Sequence, residues 1–234
     1  MTVKSSEITI NVQHLLEKVS NAAVLAGRSP DDVKLMAVTK TNSAERVNEA
    51  INAGITLIGE NRVQEYLSKH DDYDLSGCSV HFIGHLQTNK VRSIIDKVDM
   101  IQSVDRLSLA SEINKCCGAL GKIMPILIEV NIGREESKSG VYPEHLEEFI
   151  GQISAFNNLS IQGLMTIPPN MGGNLEIERY FDEMQRHFID IKAKKMDNVI
   201  MNILSMGMSQ DFELAIKHGS NIVRIGRGLF GERQ

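Results

Sequence analysis

The chain has 234 residues, 42% of them hydrophobic and 24% charged, the make-up of a globular protein with a sizeable core. A net charge of −5 leaves no basic surplus for nucleic acid or an anionic membrane surface. The opening stretch "MTVKSSEITINVQHLL" lacks the apolar centre of a secretory leader, no apolar run reaches bilayer length, and the three cysteines (Cys78, Cys116 and Cys117) fit free thiols in a reducing cytoplasm.

The first element reads as a helix. Ile8, Val12, Leu15, Leu16, Val19, Ala22, Ala23 and Ala26 recur at three and four, and Gly27 closes the run. After "RSPDD" the pattern changes to short apolar runs: "VKLMAVTK" (33–40), "ITLIGEN" (55–61), "VHFIGHLQ" (80–87), "MIQSV" (100–104), "MPILIEVNI" (124–132), "IQGLMTI" (161–167), "VIMNILSMG" (199–207) and "NIVRIG" (221–226). These eight runs are nearly continuous in apolar residues, as strands covered on both faces are. Helical stretches fill the gaps: Ser43 to Gly54, Val63–Lys69, Asn89–Asp96, Arg106–Gly118, Pro143–Phe156, Leu175–Lys195 and Ser209–Lys217. Strand and helix alternate without a linker, so the chain is expected to form one domain over 1–234. Eight βα units in so short a chain predict a (β/α)8 TIM barrel with an extra N-terminal helix, expected to cover the barrel base. An open doubly wound sheet is the alternative.

In such a barrel the site lies at the carboxyl ends of the strands. Those ends bring forward Lys40, Asn61, His85, Ser103, Glu129, Asn131, Thr166, Ser205 and Arg224. The stretch "SMGMSQDFELAIKHGSNIVRIGRGLFG" (205–231) holds five of the 18 glycines: Gly207, Gly219, Gly226, Gly228 and Gly231. The loops after strands seven and eight are the usual phosphate site of this fold. Ser209 stands where a helix N-cap belongs, and Gly226 and Gly228 let backbone come close to an anion. Turn chemistry alone would also account for either loop taken singly.

Lys40 ends an apolar strand and projects toward the mouth. A desolvated lysine gives up its proton readily and condenses with aldehydes. A ligand bearing both a phosphate and an aldehyde would bridge Lys40 and the two loops, and pyridoxal 5′-phosphate (PLP) is one. Arg224 would then face the ring nitrogen and keep it unprotonated, because a guanidinium accepts no proton. That weakens the ring as an electron sink. His85 is a candidate for the pocket wall and His81 for packing. No carboxylate or cysteine completes a metal set around them.

The stretches "AVTKT", "GENRVQE", "HFIGHLQTNK", "IEVNIGREESKSG", "GLMTI" and the closing segment resemble the pyridoxal phosphate homeostasis protein family, from about Val33 to Gly231. That family resembles the amino-terminal barrel of alanine racemases, of fold type III. The resemblance implies a cytoplasmic, monomeric PLP-binding protein of vitamin B6 homeostasis that holds PLP as a Schiff base on Lys40 without robust catalysis. It implies phosphate contacts from Ser209, Gly226 and Arg227, the last through its backbone. It sets Arg224 at the ring nitrogen and Asn61, His85 and Ser205 around the pocket. PLP-dependent apoenzymes are the implied partners. Arg62 and the pair Gly133-Arg134 depart from the family pattern beside the mouth, and Lys69, Lys90 and Lys138 are candidates for a second, looser cofactor site. The alternative is a weak PLP-dependent amino-acid racemase. No tyrosine among Tyr66, Tyr73, Tyr142 and Tyr180 lies in a motif that would supply the second base such an enzyme needs. A barrel binding some other phosphorylated metabolite is the third reading.

Overall fold

The computed structural model describes residues 6–169 and 173–231. Eight parallel strands close into a barrel in chain order. They are β1 (Lys34–Val38), β2 (Leu57–Glu60), β3 (Ser79–Phe82), β4 (Met100–Val104), β5 (Met124–Val130), β6 (Leu159–Thr166), β7 (Val199–Ser205) and β8 (Ile222–Ile225). Pairing of β1 with β8, from Lys34 opposite Ile222 to Ala37 opposite Ile225, seals the ring and excludes the open sheet.

Two layers of apolar side chains explain the closure. Met36, Val38, Leu57, Ile83 and Ile222 pack together inside the barrel. Met100, Leu127 and Met165 fill the other side, and Ile203 touches both groups. The outward side chains of the same strands join a larger core beneath the helices. A strand buried on both faces has no polar side to mark it, which is why the runs read as continuous.

The helices are α1 (Glu7–Leu25), α2 (Ala44–Asn52), α3 (Val63–Leu67), α4 (Val91–Ile94), α5 (Leu107–Ala119), α6 (Leu146–Ile153), α7 (Asn174–Ala193), α8 (Phe212–Lys217) and α9 (Arg227–Phe230). The side chain of Ser6 caps α1 by accepting from the Thr9 amide at 3.1 Å, and Gly27, at φ 71°, follows the helix end.

The first helix does not cover the base. It packs against α2, α8 and α9, and Asn11 Nδ2 donates to the Leu229 carbonyl at 3.1 Å. Just past its other end, Arg28 Nη1 donates to the carbonyls of Ile216 and Ser220, at the entry to β8. So α1 runs from mouth to base in the outer ring. The reason is steric: β8 is followed by a helix of only four residues, which leaves the slot between α8 and α2 open. The buried stripe Ile8, Val12, Leu15 and Val19 fills that slot. Residues 1–5, the head of the stretch read for a leader, lie outside the described residues. Among the described residues no helix is long and apolar enough to cross a membrane.

Candidate functional site

The strand ends meet at one mouth. Lys40 lies two residues past β1, and the turn Gly226-Arg227 directly follows β8. Lys40, Val38, Gly226 and Arg227 line a single cavity of about 290 Å³, with Arg46 and Phe230 among its other walls. Lys40 and the glycine turn are therefore neighbours, although they stand at opposite ends of the sequence. Asn61, His85, Ser205, Ser209 and Arg224 are not part of this cavity's lining.

The five late glycines separate into two kinds. Gly207, Gly219 and Gly231 have φ of 94°, 89° and 84°, where only glycine is at ease. At Gly207 a Cβ would also stand 2.5 Å from that of Ala215. Gly226 and Gly228 are different. Neither has a positive φ, and the first atom that a Cβ at Gly226 would meet is 3.5 Å away. At Gly228 the nearest atoms are Ile225 Cγ2 at 3.2 Å and Ser209 Oγ at 3.7 Å. The protein's own packing does not demand glycine at 226. What its absent side chain leaves free is room over the cavity.

The same distances join the two loops, since Ser209 stands over Gly228. The helix after β7 nevertheless does not start at Ser209. It starts at Phe212, with Asp211 at the N-cap position. The Asp211 carboxylate accepts from the Met208 amide at 2.5 Å, and the Asp211 and Phe212 amides both turn back to the Met208 carbonyl. This closed turn holds Ser209 and Gln210 outside the helix, and their amides have no backbone partner among the described residues. The first-turn amides of α9, at Arg227 and Gly228, have no intrahelical acceptor either. The Gly226-Arg227 turn thus borders the cavity with free N–H groups, and the Ser209 hydroxyl stands beyond it over Gly228, which together are donor chemistry for a phosphate.

Beneath the mouth a polar chain crosses the barrel. His81 Nδ1 on β3 meets Gln102 Nε2 on β4 at 2.8 Å. Ser205 Oγ on β7 donates to Gln102 Oε1 at 2.8 Å and accepts from Arg224 Nη1 on β8 at 2.7 Å. Arg224 also donates to the carbonyls of Ser205 and, at 2.6 Å, of Thr166. Burial pushes the Arg224 guanidinium down to about 10, against the pull of Glu129 and Asp211, so it stays charged at neutral pH. Burial pushes His81 down to about 4, so that ring is neutral. His81, read as packing, is one end of this chain, and neither Gln102 nor the chain itself was foreseen. Nothing in a list of strand ends shows which buried side chains meet across a barrel.

Three further groups border the mouth. Asn61 continues the inward face of β2, one layer above Gly59, whose missing Cβ would collide with Met36 and Ile83 of the inner cluster. Its Oδ1 is buried and has no hydrogen-bond donor among the described residues. His85 is on the rim, its side chain 55% exposed, with Nδ1 3.1 Å from Ser139 Oγ and 3.7 Å from Asp105 Oδ2. Glu129 is two residues beyond the inward-facing Leu127 and in register with Met165. Burial, reinforced by Asp105 and opposed by Arg224, raises its carboxyl to about 7.

Of the departures from the family pattern, Arg134 turns outward and pairs with Glu144 and Glu183, while Arg62 is exposed before α3. Lys69 is tied to Glu65 and to the Asn42 carbonyl, and Lys138 pairs with Glu135. The three cysteines are buried and unbridged.

The family model described as "Alanine racemase, N-terminal domain" matches residues 10–234 of this closed (β/α)8 barrel. A protein of Aquifex aeolicus named pyridoxal phosphate homeostasis protein is 43% identical over 233 residues, 95% of this chain and 97% of its own. The protein of the same name from Escherichia coli is 36% identical over 231 residues, 97% of each chain. The chain belongs to this family, among its pyridoxal phosphate homeostasis proteins. Among solved structures, PipY of Synechococcus elongatus with PLP bound is 32% identical with a TM-score of 0.80, over 91% of this chain and 100% of that one. An alanine racemase of Clostridium difficile in complex with cycloserine has a TM-score of 0.74 at 14% identity, over 95% of this chain and 60% of that one, a likeness of fold alone.

Proposed function

We propose that the chain, as one barrel domain, binds PLP through Lys40 and serves intracellular vitamin B6 balance without robust catalysis. One observation carries this reading: Lys40 and the Gly226-Arg227 turn face the same cavity. The PLP bound to PipY and the names of the two relatives support it.

The residues suit the cofactor's chemistry. Lys40 supplies an amine for its aldehyde. Ser209 Oγ and the amides at 226–228 suit a phosphate, and the unpartnered Asn61 Oδ1 offers an acceptor at the mouth. In this reading Arg224 is the partner of the ring nitrogen, with His85 and Ser205 as further walls, and its buried, charged guanidinium on β8, the strand that leads into the Gly226-Arg227 turn, supports that role. When bound, the group supplies a reactive aldehyde and a ring that disperses negative charge. Arg224 limits the second capacity, since it brings donors and no proton acceptor. A cytoplasmic monomer that passes PLP to dependent apoenzymes is the setting we propose.

A weak amino-acid racemase is the second reading, and Glu129 favours it. In a ring of eight strands β5 lies opposite β1, so an inward carboxyl held near 7 stands across the mouth from Lys40. Such a group can hold or release a proton near neutral pH.

The test is the visible spectrum of the purified protein with PLP, before and after borohydride, followed by peptide mapping. We expect a pyridoxyl group fixed on Lys40 and no such label in Lys40→Ala. A label on another lysine, or none, overturns the reading in favour of a different phosphorylated ligand. Solvent deuterium entering the α-carbon of an amino acid, and lost in both Lys40→Ala and Glu129→Gln, would promote the racemase.

A further inference from the structure

Lys40 occupies the second position of a four-residue turn. The Asn42 amide donates to the Thr39 carbonyl at 3.1 Å, and Thr41, third in the turn, has φ 64°. A positive φ at that position marks a type II turn, whose third residue is ordinarily glycine or asparagine. Threonine is β-branched, and such a residue in the left-handed region is an outlier. A strained residue persists only where its surroundings hold it.

The restraints come from the neighbouring strand and helix. Glu65 Oε1, on α3, accepts the Thr41 amide at 2.5 Å. Lys69 Nζ donates to the same oxygen at 2.8 Å and to the Asn42 carbonyl at 2.9 Å. Both side chains are mostly covered, at 21% and 14% exposure, so the pair is shielded in part from water. On the other side of the turn Glu60 Oε1 accepts from Thr39 Oγ1 and from the Tyr73 hydroxyl, each at 2.7 Å. Asn42 Nδ2 donates to the Lys40 carbonyl at 3.1 Å. Every residue of the turn is thereby held by a hydrogen bond, and the one strained unit is held by Glu65.

We propose that Glu65 and Lys69 are positioning residues that maintain the strained turn and so aim the Lys40 amine into the cavity it shares with Gly226 and Arg227. Neither lines that cavity, so their influence passes through the backbone of residues 41 and 42. Without the carboxylate, Thr41 relaxes toward negative φ, the peptide between Lys40 and Thr41 rotates, and the amine leaves its place. The inference rests on the reading of Lys40 as the PLP-holding lysine.

A cycle of four proteins tests it: the natural chain, Glu65→Met, which keeps the stem and removes the acceptor of the Thr41 amide, Thr41→Gly, and the two combined. Glycine takes φ 64° without strain, so in the Thr41→Gly background the turn no longer depends on Glu65. Two quantities are read. One is the rate at which limiting acetic anhydride labels Lys40 in the PLP-free protein, by mass spectrometry. The other is PLP affinity from the visible spectrum. We expect Glu65→Met to weaken PLP binding about tenfold, in keeping with strain of this class, and to change Lys40 labelling. In the Thr41→Gly background the same substitution should change either quantity by less than about twofold.

An equal effect in both backgrounds, or none in either, overturns the proposal. A merely structural role for Glu65 would not be cancelled by a glycine at 41. Should Glu65→Met fail to fold, Lys69→Met, which keeps the apolar stem and removes the donor to Asn42, runs through the same cycle. Should PLP fail to attach to Lys40 in the natural chain, the functional reading falls, and the labelling arm alone still decides whether Glu65 and Lys69 set Lys40.

Discussion

Ser209 Oγ lies 3.7 Å from the point where a side chain on Gly228 would begin, so the turns beyond β7 and β8 form one wall. A methyl group at 228 would press on Ile225 Cγ2, at 3.2 Å, a side-chain atom able to yield. Gly228→Ala should therefore unfold in urea within about 1 kcal/mol of the natural chain yet bind PLP at least about tenfold more weakly. Gly207→Ala should do the reverse in kind. With φ 94° and a 2.5 Å approach to Ala215 Cβ, it should lose about 3 kcal/mol or more of stability. Equal urea midpoints for the two variants would contradict this division of the glycines.

The polar chain across the barrel predicts the cost of losing its middle. Ser205→Ala removes the donor to Gln102 Oε1 and one acceptor of Arg224. A buried acceptor left without a donor costs about 1–3 kcal/mol. Urea unfolding of the PLP-free protein should show a loss of that size, with an unchanged denaturant slope.

Glu129 carries a pH signature. Its carboxyl titrates at 4.5 ordinarily and at about 7 in the fold. The folded state thus favours the protonated form, and this group's contribution to stability is fully present below 4.5 and is lost as pH rises through 7. The difference between pH 4.5 and 8 should be about 3 kcal/mol. Glu129→Gln is neutral throughout, so its stability relative to the natural chain should improve across that interval. Comparing the two proteins at each pH cancels His81, whose depressed ring acts in the opposite direction as pH falls from 6.5 to 4. A difference that does not vary with pH would count against the placement of Glu129.

The position of α1 in the ring is open to test as well. Val12 is completely buried against its neighbours, whereas Leu25, at the end of the same helix, is 89% exposed. Val12→Ala should lose about 2 kcal/mol and Leu25→Ala less than about 0.5 kcal/mol. A helix lying loosely on the barrel would make the two substitutions alike in thermal unfolding.

Much of this was legible along the chain. All eight strands fall within a few residues of the apolar runs, with "MIQSV" matching β4 from end to end. A strand covered on both sides must be apolar throughout, and that signal is local. Helix starts were read less well. Ser209 has the chemistry of a cap, but Asp211 closes the turn ahead of α8, and the competition between two capping residues two positions apart is settled by backbone geometry. The role of α1 was misjudged for a related reason: its apolar stripe shows that it packs, and the stripe does not say against what.

By itself the sequence determined the order and kind of the elements, the lysine at the end of the first strand and the glycine-bearing turns near the finish, because each depends on side chains a few residues apart. The tertiary structure alone decided that Lys40 and Gly226 share a cavity, that Arg224 reaches His81 through Ser205 and Gln102, and that Glu65 holds Thr41 in a strained turn. Those relations join residues far apart in the chain, and only the packing of strands side by side into a closed ring, driven by burial of apolar side chains on both sides of its wall, brings them together.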